Sequence, residues 1–125
     1  MKQVLLVLAL FVTINNFAQS SVKFAKVTHN FGKIIQNKPA TYEFLFTNNG
    51  TKPLVIETAT AECGCTTPVY TKLPIPKGKT EKIKVTYNAA NTGSFKKNVT
   101  VKFANVADPT ILIIDGDVIA AKTKK

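Results

Sequence analysis

Apolar residues fall on every second position through most of this chain, in runs that turn-forming residues interrupt roughly every ten positions. No stretch carries the spacing of an amphipathic helix. Short alternating runs with no helices between them predict an all-β fold, a sandwich of antiparallel strands.

Residues 21–28 form the first expected strand, with Val22 and Phe24 on one side. They lead into His29-Asn30-Phe31-Gly32-Lys33-Ile34, where Gly32 permits a sharp bend and Phe31 and Ile34 reach the core, and Asn37-Lys38-Pro39 then turns the chain. Residues 40–48 alternate most clearly. Tyr42, Phe44 and Phe46 share a face opposite Thr41, Glu43 and Thr47, so the three aromatics are expected at the centre of the core. Asn48-Asn49-Gly50-Thr51 tolerates positive φ and reads as a turn. Residues 54–60 then deliver the chain to Ala61-Glu62-Cys63-Gly64-Cys65-Thr66-Thr67, a connection between sandwich elements.

Pro68, Pro74 and Pro76 deny residues 69–77 a full hydrogen-bond ladder, so that segment is expected as a crossing connection or short edge strand. Residues 80–88 point Ile83, Val85 and Tyr87 inward, and residues 94–104 do the same with Phe95, Val99, Val101 and Phe103. The last strand starts near Thr110. Asp115-Gly116-Asp117 is either a hairpin turn or a glycine bulge in one long strand; a hairpin leaves too little chain beyond it to pack, which favours the bulge.

The N-terminus reads as a cleaved signal peptide over residues 1–19. Lys2 supplies a positive start, residues 4–12 are almost unbroken apolar, and Ala18-Gln19-Ser20 is a small, polar exit. The apolar run is too short to span a bilayer, and no cysteine follows it to accept a lipid. The expected product is a periplasmic or secreted protein of bacterial type, not an integral membrane protein, with one domain at 22–121 and a basic tail at 122–125. Removing Lys2 takes the formal charge from +10 to +9, and the chain holds no arginine and no tryptophan. The lysines are scattered along strand faces rather than clustered with stacking aromatics, so nucleic acid is not expected as a partner.

Catalytic chemistry has little to work with. His29 stands alone in a turn beside Asn30, and Asp115 with Asp117 falls short of the six or more oxygens a hard cation takes. Nucleophile elbows, phosphate-cradling glycine loops and zinc-type cysteine pairs are missing, so no enzyme activity, cofactor or metal is expected. Cys63 and Cys65 remain as a candidate disulfide or redox pair, with Glu62, Gly64, Thr66 and Thr67 as the candidate contact loop around them. In an extended strand their Cα atoms stand roughly 6.6 to 7 Å apart, at the upper edge of what a disulfide spans, and Gly64 can relieve this by folding inward. A local disulfide, reversibly oxidised thiols, a copper(I) site and pairing with another chain's cysteine all stay open.

The combination of His29-Asn30-Phe31-Gly32-Lys33-Ile34, Phe44-Leu45-Phe46-Thr47-Asn48-Asn49-Gly50 and Cys63-Gly64-Cys65-Thr66 closely resembles the bacterial family catalogued as domain of unknown function fifteen seventy-three. Members of that family are exported, small and immunoglobulin-like. Phe44 to Gly50 and Pro76-Lys77-Gly78 are also similar to the major-sperm-protein and cilium-associated immunoglobulin-like domains. The resemblance covers about residues 24–121. It implies an immunoglobulin-like Greek-key sandwich of about seven strands with a bulged last strand through Gly116-Asp117-Val118, and it brings no activity and no role for the cysteine pair. The expected function is therefore a non-enzymatic binding or structural module acting on a protein or envelope component, with thiol-redox or copper(I) handling at Cys63-Gly64-Cys65 as the alternative.

Overall fold

The alternating runs become eight strands in two four-stranded sheets. The computed structural model describes residues 20–122; the signal segment expected at 1–19 and the tail residues 123–125 lie outside the described residues. One sheet is ordered β1 (Val22–Phe24), β3 (Ala40–Asn48), β6 (Thr80–Tyr87), β5 (Thr66–Tyr70); the other is ordered β2 (Thr28–Ile35), β8 (Thr110–Ile119), β7 (Gly93–Phe103), β4 (Ile56–Ala61). The fold is an all-β, immunoglobulin-like sandwich.

Strands β3, β6 and β7 follow the alternation residue by residue. Phe44, Phe46, Ile83, Val85, Val99, Val101 and Phe103 all point between the sheets and are buried, as are Leu112 and Ile114 from β8. Phe46 packs edge-on against Phe103 with ring centroids 5.4 Å apart, and Phe24 caps the pair at 5.3 Å from Phe46. Burying a large apolar side chain contributes about 1.5–3 kcal/mol, so this interleaving of both sheets dominates the stability of the sandwich.

The expected first strand, residues 21–28, is instead divided between the two sheets. Val22–Phe24 pairs antiparallel with Phe46–Asn48 of β3, whereas Thr28 already belongs to β2, which runs parallel to β8. The crossing is held at each end by one backbone bond: Ala25 N–H donates to Leu45 O at 2.9 Å, and Ile113 N–H donates to Val27 O at 2.8 Å. This division brings the strand count to eight.

The last strand is single and long, but the bulge lies in its neighbour. β7 and β8 pair without interruption through Phe95–Gly116, while the β2–β8 register slips between Asn30 and Lys33, where Gly32 takes φ 67°. The extra residue therefore sits in β2 at a left-handed glycine, a conformation costly for any side chain. Gly116 has a different task. A Cβ there would lie 2.9 Å from Gly32 O and 3.0 Å from the Phe95 ring, so its bareness lets strand and ring close on it.

Candidate functional site

At one end of the sandwich the chain passes from β4, an edge of one sheet, to β5, an edge of the other. Residues 62–65 make that crossing and contain both cysteines. Cys63 and Cys65 are joined as a disulfide with Cα atoms 5.3 Å apart, well inside the span of an extended dipeptide, because the segment turns at Gly64. Thr66 N–H donates to Cys63 O at 3.4 Å across the turn.

Both ends of the crossing are pinned to neighbouring strands. Glu62 N–H donates to Asn98 O at 3.1 Å, and Asn98 N–H donates to Glu62 Oε1 at 3.1 Å, so the glutamate carboxylate takes the place of a strand carbonyl and extends the β4–β7 ladder by one rung. On the far side, Asn88 N–H donates to Cys65 O at 2.9 Å. The 88–90 loop then reaches onward. Ala89 O accepts from Asn37 N–H at 2.8 Å, Ala90 O accepts from Gln36 Nε2 at 3.0 Å, and Gln36 N–H reaches Ile119 O at 2.8 Å. Ala89 is fully buried at φ 56°, a left-handed backbone that costs a residue with a Cβ about 1 kcal/mol. Five chain segments, the crossing, β7 at Asn98, the 88–90 loop, residues 36–37 and the end of β8, are thus stitched into one platform.

The exposed face of the crossing is carried by Glu62, Gly64 and Thr67, with the cysteines half-buried. Thr66 does not join them. It is 4% exposed, and its Oγ1 lies 3.6 Å from Cys65 Sγ and 3.9 Å from Cys63 Sγ, so it is an internal prop of the disulfide rather than a contact residue. Its place as the first inward residue of β5 follows from the strand beginning one position after Cys65. Asn88 and Asn98 are the site residues that sequence reasoning missed, because their partners lie far away in the chain.

His29 is remote from the cysteines, on the edge strand at the other side of the sandwich. It is not a turn residue: its ring stacks on Tyr42 at 3.7 Å and meets Phe31 edge-on at 4.7 Å. Burial, with help from the nearby Lys26 charge, holds its pKa below the ordinary 6.5, against an opposing pull from Asp115. Asp115 and Asp117 lie beside each other on the outer face of β8, and Asp115 Oδ1 is a buried oxygen with no hydrogen-bond partner among the described residues. Among the described residues no group of three or more His, Cys, Asp or Glu side chains gathers to hold a metal, and no helix is long and apolar enough to cross a membrane.

A family pattern described as "Protein of unknown function (DUF1573)" matches residues 22–118, nearly the whole described chain. The chain belongs to the DUF1573 family. No curated protein matches it significantly. Among solved structures, this DUF1573 chain is similar to the ASH/PapD-like domain 7 of human CEP192, with a TM-score of 0.70 at 10% identity, covering 82% of this chain and 87% of that one. It is also similar to WR4, an MSP family member of C. elegans, with a TM-score of 0.55 at 8% identity over 80% of this chain and 99% of that one. A further likeness is to the VesB protease of Vibrio cholerae, with a TM-score of 0.62 at 14% identity over 78% of this chain. The chain spans 32% of VesB. At these identities the likeness is one of fold, and the DUF1573 sandwich stands with the PapD-like and MSP-like immunoglobulin-like domains.

Proposed function

We propose that this DUF1573 protein is an exported, non-enzymatic binding module that docks on a protein or envelope component through the platform around Glu62, Gly64 and Thr67. The observation that carries this reading is the placement of the disulfide. A bridge spanning two positions closes so small a ring that chain-entropy arithmetic assigns it only about 1.5 kcal/mol, against about 4.7 kcal/mol for a hundred-residue loop. Its effect is local: it fixes the shape of an exposed turn that neighbouring loops already hold. Rigidity at an exposed loop lowers the ordering cost of binding.

The runner-up reading is thiol redox chemistry. It is favoured by the half-burial of both cysteines at the same exposed turn, where a partner thiolate could attack either sulfur. A copper(I) role would require the reduced pair. His29, on the far edge, supplies no third ligand to it.

Replacing both Cys63 and Cys65 by Ser distinguishes these readings when coupled to thiol counting on protein recovered from the exported fraction. Binding predicts fully oxidised cysteines, a folded double variant destabilised by less than about 2 kcal/mol, and weakened partner capture. Free, rapidly alkylated thiols in the native protein would sink the binding reading in favour of redox or metal chemistry.

A further inference from the structure

The opposite end of the sandwich carries a different surface. Loops 49–55 and 71–79 meet there, joined by the Leu54–Ile75 bridge, and both are bound to the buried Asn48. The Asn48 side chain donates to Lys52 O and Ile75 O, its backbone N–H donates to Lys79 O at 3.0 Å, and Gly78 N–H donates to its carbonyl at 2.8 Å. The backbone of Lys52 and of Lys79 is therefore one hydrogen bond from the same residue. Lys52, Lys72, Lys77 and Lys79 are all exposed, and none has a carboxylate in ion-pair reach among the described residues. Two carboxylates lie at this end: Asp108 in the third loop, 104–109, and Glu81, which lines the groove beside Leu73 and Lys79, against the four lysines.

Leu73 is 73% exposed in the same loop as Lys72, Lys77 and Lys79, beside an exposed Pro74, and shares a groove with Lys79. Among the described residues it is the most exposed of the large hydrophobic side chains, in a connection stiffened by Pro74 and Pro76. A soluble polyanion would be met by the lysines alone and gives an exposed leucine nothing to contact. A bilayer of anionic lipid answers both features: the ammonium groups meet headgroup phosphates while the leucine enters the acyl boundary.

We propose that this end is a peripheral docking surface for an anionic lipid bilayer, with Leu73 as the inserting residue and Lys52, Lys72, Lys77 and Lys79 as the electrostatic contacts. Strand β3 separates it from the cysteine crossing by roughly 30 Å, given the rise per residue in a strand. A protein lying on a membrane by this end holds Glu62, Gly64 and Thr67 away from the lipid, open to a second molecule. Lipid docking here does not depend on the function proposed for the crossing.

The test is co-sedimentation of the full chain with vesicles of phosphatidylglycerol and phosphatidylethanolamine, compared with phosphatidylcholine alone. Wild type and variants carry the same N-terminus, so differences between them read the loop. Each lysine at an anionic surface strengthens binding roughly fivefold, so Lys77→Glu with Lys79→Glu is expected to weaken it at least tenfold, and wild-type binding is expected to fall steeply with added salt. Leu73→Asp is expected to weaken binding about tenfold or more with an unchanged unfolding midpoint, because the side chain packs against little. Equal binding of wild type and Leu73→Asp, with competition by inorganic polyphosphate, would assign the surface to a soluble polyanion and overturn the proposal. Failure of the wild type to bind the anionic vesicles would overturn it as well.

Discussion

The side-chain amide of Asn48 donates to the carbonyl oxygen of Ile75 at 2.9 Å, tying the end of β3 to a loop 27 positions further along the chain. The same nitrogen reaches Lys52 O at 2.9 Å, and Asn48 Oδ1 accepts from Gly50 N–H at 3.0 Å. Asn48 is 1% exposed, so every one of these bonds lacks a water to replace it. Asn48→Ala is expected to lower unfolding free energy by about 2–4 kcal/mol, since buried carbonyls lose their donor. Asn48→Asp keeps the shape and removes the donor, so it should destabilise by at least as much. Urea denaturation of both variants checks this; an Asn48→Asp protein as stable as wild type would contradict it.

Two glycines separate packing from loop freedom. Gly116→Ala pushes a methyl against Gly32 O and the Phe95 ring and is expected to cost about 1–3 kcal/mol. Gly64→Ala meets nothing within 4 Å, and its backbone is not left-handed, so the expected cost is under about 0.5 kcal/mol. Thermal unfolding of the pair measures the difference directly.

Stability should weaken in mild acid through His29. Its folded pKa lies below 6.5, so between that folded value and 6.5 the unfolded chain binds more protons, and stability rises with pH across that window. The contribution is complete above 6.5 and declines as pH drops below it. His29→Phe, which keeps the stack on Tyr42 without a titrating group, is expected to flatten the pH dependence of the unfolding midpoint between about pH 5 and pH 7. An unaltered profile in that variant would exclude His29 as the source.

Pro68 guards an edge. Because Asn88 N–H bonds Cys65 O, the alternation of an antiparallel ladder turns the backbone N–H and C=O groups of Thr67 and Val69 toward β6 and leaves the backbone groups of Thr66, Pro68 and Tyr70 facing the open edge. Proline offers no N–H there, which blunts pairing with another chain. Pro68→Val is expected to change stability by less than about 1 kcal/mol and to raise self-association, seen by light scattering or analytical ultracentrifugation at increasing concentration. A variant that stays as dispersed as wild type would show that the proline has no such role.

The strands whose two faces differ sharply are legible in the amino-acid pattern itself. Tyr42, Phe44 and Phe46 on β3, the inward residues of β6, and the four inward residues of β7 all follow from alternation, since each strand has one wet face and one dry one. The missing N–H of Pro68 points to an edge element at this place, but the strand runs Thr66–Tyr70, starting inside the expected cysteine connection, and most of the expected 69–77 segment is loop. The division of the first strand does not show, because residues 25–27 carry no turn chemistry and are redirected only by distant partners in β3 and β8. Local pattern points to a bulge at Gly116 rather than Gly32 for a related reason: both glycines suit a bulge, and only the pairing of β2 with β8 decides between them. At the candidate site the cysteines and the turn at Gly64 are readable, while the burial of Thr66 and the anchoring by Asn88 and Asn98 depend on contacts that no local pattern records.

Site-specific photo-crosslinking in cells tests the binding platform most directly. A photoreactive side chain placed at Gly64, in the exposed turn, is compared with one at Thr100 on the outer face of β7. A discrete adduct of higher mass from Gly64, absent from Thr100 and lost when Cys63 and Cys65 are both serine, is the predicted result. No adduct at Gly64, or the same adducts from both positions, would contradict a docking role for the cysteine crossing.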